Sequence, residues 1–147
     1  MTGPVFVDTN VLVYARDAGE PVKQPLAAEV LRLLWESRRG RISPQVLQEY
    51  YVTVTRKLNP GLPKEAARDD ITALLAWQPL APSGTTFSKA WEIEDRLGFS
   101  WWDSLIVASA LESRCTILLS EDLQDGQEIE GLQIRNPFGP DFDPALK

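Results

Sequence analysis

Short runs of β-branched and aromatic residues alternate along the chain with longer segments of helical periodicity. The run Val-Phe-Val at residues 5–7 ends at Asp8, and Val11, Leu12 and Tyr14 follow at helical spacing. This pattern predicts a strand that leads directly into a helix. A second apolar run, residues 115–119, is typical of a buried strand and stops at the polar sequence Ser-Glu-Asp.

Helical periodicity fills most of the chain between these two strands. It predicts helices over residues 25–39, 44–58, 64–77, 87–97 and 105–111. Ser43 and Pro44 form an N-cap followed by proline at the first helical position, and Ser100 with Asp103 has the spacing of a capping box. Ile42 is expected to form a brief strand, and residues 132–134 a last edge strand. Strands that alternate with helices predict an α/β/α sandwich around a small, mostly parallel sheet.

Length and composition are those of one globular domain. The chain has 147 residues, 44% of them hydrophobic, which is enough to bury a core without disulfides. The N-terminus lacks the pattern of a secretory signal, and the longest apolar stretch is far shorter than the ~18 residues that span a membrane. With a single cysteine, Cys115, which we expect to be buried and inert, the chain is predicted to be a cytoplasmic protein.

Charge and histidine content narrow the possible chemistry. The net charge of −6 has the wrong sign for binding nucleic acid through bulk electrostatics. The sequence contains no histidine, which removes Ser-His-Asp and Cys-His nucleophiles, imidazole bases and His-ligated zinc. Any acid–base or metal chemistry must therefore be carried by carboxylates.

Four carboxylates occupy positions where they could meet. Asp8 and Asp122 follow two predicted parallel strands, whose carboxyl ends share one edge of the sheet. Asp103 lies in the first turn of an apolar helix, and Glu49 is the acid of the helix that begins at Pro44. Such acids would repel one another by about 4 kcal/mol per pair at about 4 Å, and a hard divalent cation, Mg²⁺ or Mn²⁺, would relieve that repulsion. The expected chemistry is metal-assisted hydrolysis at phosphorus.

Each acid also has a purely structural interpretation. Asp8 could cap the helix that starts at Thr9, and Asp103 could serve only its capping box. Glu49 could be a solvated helix charge, and Asp122 part of an acidic turn. The functional hypothesis depends on the four acids lying together.

Four segments resemble the PIN-domain ribonucleases, and most of all their VapC-type toxins. They are residues 6–12 (FVDTNVL), 43–49 (SPQVLQE), 100–110 (SWWDSLIVASA) and 116–123 (TILLSEDL), followed by Gly126 and residues 136–138 (NPF). The resemblance covers residues 5–138 in the order of the family. It implies a PIN domain over residues 1–138 and leaves residues 139–147 as a tail, which we expect to be disordered.

The resemblance implies an endoribonuclease that depends on Mg²⁺, with Mn²⁺ as a substitute. Asp8, Glu49, Asp103 and Asp122 match the acidic quartet of the family; Glu49 would reach the metal directly or through water. Thr9, Asn10 and Ser120 would orient the ligands or water. Glu121 and Asp125 are close enough in sequence to replace Asp122 or support it.

The resemblance also implies partners. Such toxins are homodimers that are held inactive by a cognate antitoxin, whose C-terminal segment covers the cleft. They cleave structured RNA, often transfer or ribosomal RNA, and leave a 3′-hydroxyl and a 5′-phosphate. A catalytically silent PIN fold that serves as a protein-interaction module is the alternative, in which the acids merely cap helices.

Two further features bear on an RNA substrate. The basic clusters Arg38, Arg39 and Arg41, and Arg56 with Lys57, could contact phosphates or could simply complement helix C-termini. Trp101 and Trp102 could stack on bases, although adjacent tryptophans that enter an apolar helix are more often core or dimer interface.

Other enzyme classes fit the sequence less well. A haloacid-dehalogenase-like phosphatase would need a second aspartate where this chain has Asn10, and the glycine-rich motifs of nucleotide-binding enzymes are missing from the sequence.

Overall fold

The computed structural model describes residues 3–146. Met1 and Thr2 of the predicted domain and Lys147 of the predicted tail lie outside the described residues. In the described part of the chain, five strands form one sheet in the order β2-β1-β3-β5-β4. Their bounds are β1 Val5–Val7, β2 Gly40–Arg41, β3 Ile117–Leu119, β4 Glu128–Ile129 and β5 Leu132–Arg135.

The sheet is parallel except at one edge. β1 pairs in parallel with β2 and β3, β3 pairs in parallel with β5, and β4 pairs antiparallel with β5. Val5, Phe6 and Val7 are fully buried, which explains why β1 reads as an unbroken apolar run rather than an alternating one. The mostly parallel sheet and the α/β/α sandwich predicted from the sequence are confirmed.

Within residues 3–146, six α-helices connect and cover the strands. They are α1 Thr9–Tyr14, α2 Lys23–Ser37, α3 Pro44–Val52, α4 Lys64–Leu74, α5 Gly84–Leu97 and α6 Trp101–Glu112. α3 continues into a π-helical turn, Thr53–Lys57, and α4 into a 3₁₀ turn, Leu75–Trp77. The predicted helices 44–58 and 64–77 thus have the expected extent, although no residue pattern indicates the π turn. No helix within residues 3–146 is long and apolar enough to cross a membrane.

Several boundaries differ from the prediction for local reasons. α2 begins two residues before Pro25 and ends at Ser37, because Arg38 adopts a left-handed backbone conformation (φ 58°). Gly40 is therefore not a helix cap: it opens β2, where a Cβ atom would overlap the ring of Trp77. α5 begins three residues before Phe87, since the Ser83 N–H donates to the Thr86 hydroxyl (2.9 Å) and fixes the first turn.

Three of the strand predictions need correction. Residues 132–134 do not form an edge strand, because β4 pairs with the outer side of β5. Ile42 lies just beyond β2, buried but outside the ladder, because only residues 40 and 41 pair with β1. The strand predicted from Cys115 begins two residues later, at Ile117.

The expectation that the tail is disordered was wrong for the part that the structure describes. Leu146 is buried in the hydrophobic core, and Phe142 packs against it. The Arg39 guanidinium donates to the carbonyl oxygens of Ala145 and Leu146, both at 3.4 Å. Residues 145 and 146 are therefore held next to Arg39, which directly precedes β2.

The pairing of β1 with β3 determines where the polar residues meet. Val7 lies opposite Leu119, so Asp8 and Ser120 leave the sheet side by side at its carboxyl edge. The Asp8 N–H donates to the Leu119 carbonyl oxygen at 2.9 Å, which extends the ladder by one bond. Ligands of parallel sheets bind at this edge.

Candidate active site

A cleft of about 990 Å³ opens at the carboxyl edge of the sheet. Its walls come from the start of α1, from α3 and its π turn, from the start of α6 and from the loop after β3. All four acids that the sequence singled out line it: Asp8, Glu49, Asp103 and Asp122. Residues separated by more than 100 positions in the chain therefore face one space.

Asp8 is the deepest of these acids, with 6% of its surface exposed. One carboxylate oxygen accepts the Thr9 N–H (2.8 Å) and the other accepts the Ser120 hydroxyl (2.8 Å). Burial raises the pKa of Asp8 from 3.8 to about 6; those hydrogen bonds oppose the rise, while repulsion from Asp103 and Asp122 adds to it. Asp8 does cap α1, and it is also a buried acid whose charge is poorly compensated.

Asn10 and Ser120 hold Asp122 beside Asp8. The Asn10 amide donates to a carboxylate oxygen of Asp122 (3.1 Å) and more distantly to Asp8 (3.4 Å). The Ser120 hydroxyl, which is fully buried, accepts the Asp122 N–H at 3.2 Å. The Asn10 side-chain oxygen accepts the N–H of Glu121 at 3.2 Å, which fixes the amide orientation. These contacts set the direction of both carboxylates.

Glu49 is oriented from two helices. The Thr9 hydroxyl donates to one of its carboxylate oxygens at 2.6 Å, and the Gln45 amide donates to the other at 3.3 Å. Gln45 also donates to the Trp102 carbonyl oxygen (3.4 Å) and so ties α3 to α6. Sequence reasoning missed Gln45, although its position one helical turn before Glu49 was a usable signal.

Asp103 is half-buried in the first turn of α6. Burial raises its pKa, the hydrogen bond with Ser100 opposes the rise, and repulsion from Asp122 and Glu49 adds to it. The Ser100 hydroxyl accepts the Asp103 N–H at 3.1 Å, which is one half of the predicted capping box. The Asp103 side chain lines the cleft.

The two acids considered as substitutes for Asp122 are engaged elsewhere. Glu121 forms an ion pair with Lys23 (2.6 Å) and accepts the Tyr14 hydroxyl (2.7 Å). Burial opposes its ionisation, but these two contacts outweigh that effect and lower its pKa. Asp125 is exposed and accepts the Asn136 N–H at 2.9 Å. Of the three neighbouring acids, Asp122 is the one that lines the cleft.

Of the two basic clusters, one contributes a residue to the cleft and the other does not. Arg39 binds backbone carbonyls near the two ends of the chain, and Arg41 donates to the carbonyl oxygens of Arg38 and Gly40. Lys57 lines the cleft, at the end of the π turn, together with the further acids Asp17 and Glu20. Arg39 and Arg41 therefore have structural roles, and among the residues that the structure describes Lys57 is the basic residue that lines the cleft.

Comparison with known proteins identifies the family of this chain. Residues 5–124 match the family model of the PIN domain. The chain belongs to the PIN-domain family. The domain has a fold similar to a toxin–antitoxin complex from Klebsiella pneumoniae, with a TM-score of 0.67 and 18% identity over 90% of this chain and 97% of that one. It is also similar to Mycobacterium tuberculosis VapC20, a sarcin–ricin loop cleaving toxin, with a TM-score of 0.61 and 21% identity over 80% of this chain and 91% of that one.

No curated protein matches this PIN domain in sequence. At identities near 20%, the two structural likenesses establish the shared fold. PIN domains in general depend on divalent metal ions.

The donor atoms of the cleft fit a hard divalent cation. Every candidate ligand is a carboxylate oxygen, the donor that Mg²⁺ and Mn²⁺ prefer, and the buried charge of Asp8 would be relieved by a cation. Among residues 3–146 no three acids, cysteines or histidines are already grouped as a metal site. Thr9, Asn10 and Ser120 currently satisfy the carboxylate oxygens by hydrogen bonding. Binding a cation would therefore draw the four carboxylates closer together.

Proposed function

We propose that this PIN domain is an endoribonuclease that depends on Mg²⁺, for which Mn²⁺ can substitute, and that hydrolyses RNA phosphodiester bonds. The observation that carries the proposal is Asp8, a nearly buried carboxyl group whose pKa is raised to about 6 in a cleft lined by five more acids, among them Glu49, Asp103 and Asp122. Concentrating like charges costs free energy of folding. Acids with strongly shifted pKa values in a cleft are therefore typical of functional sites.

Each residue of the site has a role in the proposed reaction. Asp8, Asp103 and Asp122 would hold the cation, with Glu49 binding it directly or through water. When bound, the cation would supply activation of water and stabilisation of the negative charge that develops at phosphorus. Thr9 and Gln45 orient Glu49, while Asn10 and Ser120 orient Asp122 and Asp8. These neutral donors set the carboxylate directions without adding charge to the site.

We further propose that the protein is the toxin of a toxin–antitoxin pair and acts in the cytoplasm as a homodimer. Two similarities support this role: one structural neighbour is a toxin–antitoxin complex, and another is a toxin that cleaves the sarcin–ricin loop. The cleft also suits an antitoxin segment with basic residues, because six acids and one lysine line it. Such a segment would neutralise the acids and exclude RNA at the same time.

Incubation of the purified protein with total RNA tests the enzymatic proposal. Cleavage is expected with Mg²⁺ or Mn²⁺ and is expected to stop with EDTA. Asp103→Asn should abolish cleavage, while Asp95→Asn, on the exposed side of α5, should not change it. Products should carry a 5′-phosphate. Equal cleavage by wild type and Asp103→Asn would contradict the assignment of the site.

A catalytically silent interaction module is the second candidate. Two observations favour it. Asp8 accepts the N-cap hydrogen bond of α1, and no three acids among the described residues are already grouped as a metal site. The two candidates differ in what Asp8→Asn does: a module loses stability when its cap is weakened, whereas a nuclease gains stability in the free state and loses cleavage.

A further inference from the structure

An aromatic surface adjoins the acids at one end of the cleft. It consists of Phe87 and Trp91 from α5 and of Trp101 and Trp102 from the first turn of α6. Trp101 is half-buried, with the Trp91 ring stacked at a centroid distance of 6.4 Å and the Phe87 ring at 6.2 Å. Trp102 is 61% exposed, Trp91 56% and Phe87 38%. The rings of Phe87, Trp91 and Trp101 thus form one cluster, and Phe87, Trp91 and Trp102 face solvent.

This surface is continuous with the site. Phe87 and Trp102 line the same cleft as the four acids, and Trp102 directly precedes Asp103 in the chain. The Trp102 backbone is fixed by the hydrogen bond from Gln45, the residue that also orients Glu49. A substrate whose scissile phosphate lies at the acids would therefore have its neighbouring nucleotide beside Trp102.

The charges of the cleft provide little Coulomb attraction for an RNA substrate. Six acids and one lysine line it, so Coulomb forces repel a polyanion until a cation is bound. Stacking of a base on an aromatic ring requires no positive charge and tolerates any base, and only an unpaired base exposes its face. An RNA helix hides its base faces within the stack, whereas loops and single strands can splay a base out.

We propose that the aromatic surface of Phe87, Trp91, Trp101 and Trp102 is a stacking platform for unpaired RNA bases next to the scissile phosphate. Trp102 is the first contact, and Trp91 extends the platform away from the acids along α5. The proposal rests on the proposed nuclease function and adds to it the residues that would position the nucleotide beside the scissile phosphate. The apolar area alone would equally suit a second copy of the chain or an antitoxin helix, and the test separates these occupants.

The experiment uses the full-length protein and a short unstructured oligoribonucleotide that contains 2-aminopurine. In the presence of Mg²⁺, Trp102→Leu keeps an apolar side chain but removes the ring face, so it should raise KM roughly 5- to 100-fold and change kcat much less. Trp102→Phe should recover much of the loss. Trp35→Leu is the matched control, because Trp35 is 47% exposed, packs on Trp77 and does not line the cleft.

Binding measured in EDTA keeps this proposal separate from the nuclease proposal. Stacking quenches 2-aminopurine fluorescence, and the quenching should weaken in Trp102→Leu by the same factor at low and high salt, since it is not Coulombic. If RNA is not cleaved but this quenching persists, the nuclease assignment fails and the platform stands. An unchanged KM and unchanged quenching in Trp102→Leu would overturn the platform. So would a halved mass of Trp91→Leu in sedimentation, which would assign the surface to a dimer interface.

Discussion

The Thr9 hydroxyl donates a 2.6 Å hydrogen bond to the Glu49 carboxylate, 40 residues further along the chain. Thr9 opens α1 directly after the sheet, and Glu49 lies on α3, so this single bond joins two walls of the cleft. It also points Glu49 toward the neighbouring acids. The contact is a means of holding a carboxylate at a fixed angle, as outer partners of metal ligands do.

Thr9→Val should weaken Mg²⁺ binding and cleavage with little change in folding. The valine has nearly the same shape but no hydroxyl, so Glu49 would be oriented only by the weaker bond from Gln45 at 3.3 Å. The expected loss is about 10- to 100-fold in metal affinity. Calorimetric titration with Mg²⁺ measures it. Thr9→Ser retains the hydroxyl and should behave as wild type; full Mg²⁺ affinity in Thr9→Val would show that this bond is irrelevant.

Asp8→Asn should stabilise the metal-free protein at neutral pH. The folded protein raises the Asp8 pKa from 3.8 to about 6, so ionisation of this group disfavours folding. The contribution of Asp8 to stability is fully present below pH 3.8 and is lost as the pH rises through about 6. Ionisation of Asp8 therefore lowers the free energy of unfolding by about 3 kcal/mol, because one pKa unit corresponds to about 1.4 kcal/mol.

Denaturant unfolding in EDTA across pH 3.5 to 8 checks this expectation. Above about pH 6 Asp8→Asn should be the more stable protein, and the two curves should converge at the acid end. Added Mg²⁺ should stabilise the wild type alone and narrow the gap. Asp95→Asn, a change at an exposed acid, should follow the wild type. A lower stability of Asp8→Asn at pH 8 would instead identify Asp8 as a helix cap only.

Ser120→Ala should raise the Asp8 pKa further, above about 6, because the buried Ser120 hydroxyl donates to the Asp8 carboxylate at 2.8 Å and favours its ionised form. It should also release the Asp122 N–H, which that hydroxyl accepts. Carboxyl NMR titration of the metal-free protein measures the first effect. Ser104→Ala is a matched control: that hydroxyl is buried and finds no hydrogen-bond partner within residues 3–146. Identical Asp8 titration curves in both variants would exclude the role given to Ser120.

Asp122→Asn should reduce cleavage by about 100-fold or more, since it removes a charged ligand rather than an outer partner. Glu121→Gln and Asp125→Asn should cleave RNA at nearly the wild-type rate, because their carboxylates face Lys23 and the Asn136 N–H instead of the cleft. Steady-state cleavage of one RNA by all three variants makes the comparison. A greater loss in Asp125→Asn than in Asp122→Asn would reassign the fourth acid.

Much of this architecture follows from local sequence. The apolar run of β1 is short and fully buried, and the cap residues Asp8, Ser43 and Ser100 each begin a helix where the sequence predicts one. Parallel pairing then requires that Asp8 and the polar residues after β3 share an edge. The shared edge from which Asp8 and Asp122 enter the cleft was therefore predictable, whereas Glu49 and Asp103 reach the cleft from α3 and α6.

Other features depend on contacts between distant residues and could not be predicted locally. β4 has only two residues, one of them an exposed glutamate, so its pairing outside β5 leaves no hydrophobic pattern. The burial of Leu146 depends on Arg39, more than 100 residues away. The bond between Thr9 and Glu49 is likewise a property of the packed helices, since sequence spacing does not encode side-chain direction across α1 and α3.

The most direct test of the central claim is an anomalous difference map from a crystal of the protein soaked in Mn²⁺. A peak is expected in the cleft, within bonding distance of carboxylate oxygens of Asp8, Asp103 and Asp122, with Glu49 in contact directly or through one water. An empty cleft with the four carboxylates in their metal-free directions, or a peak bound only elsewhere on the surface, would contradict it.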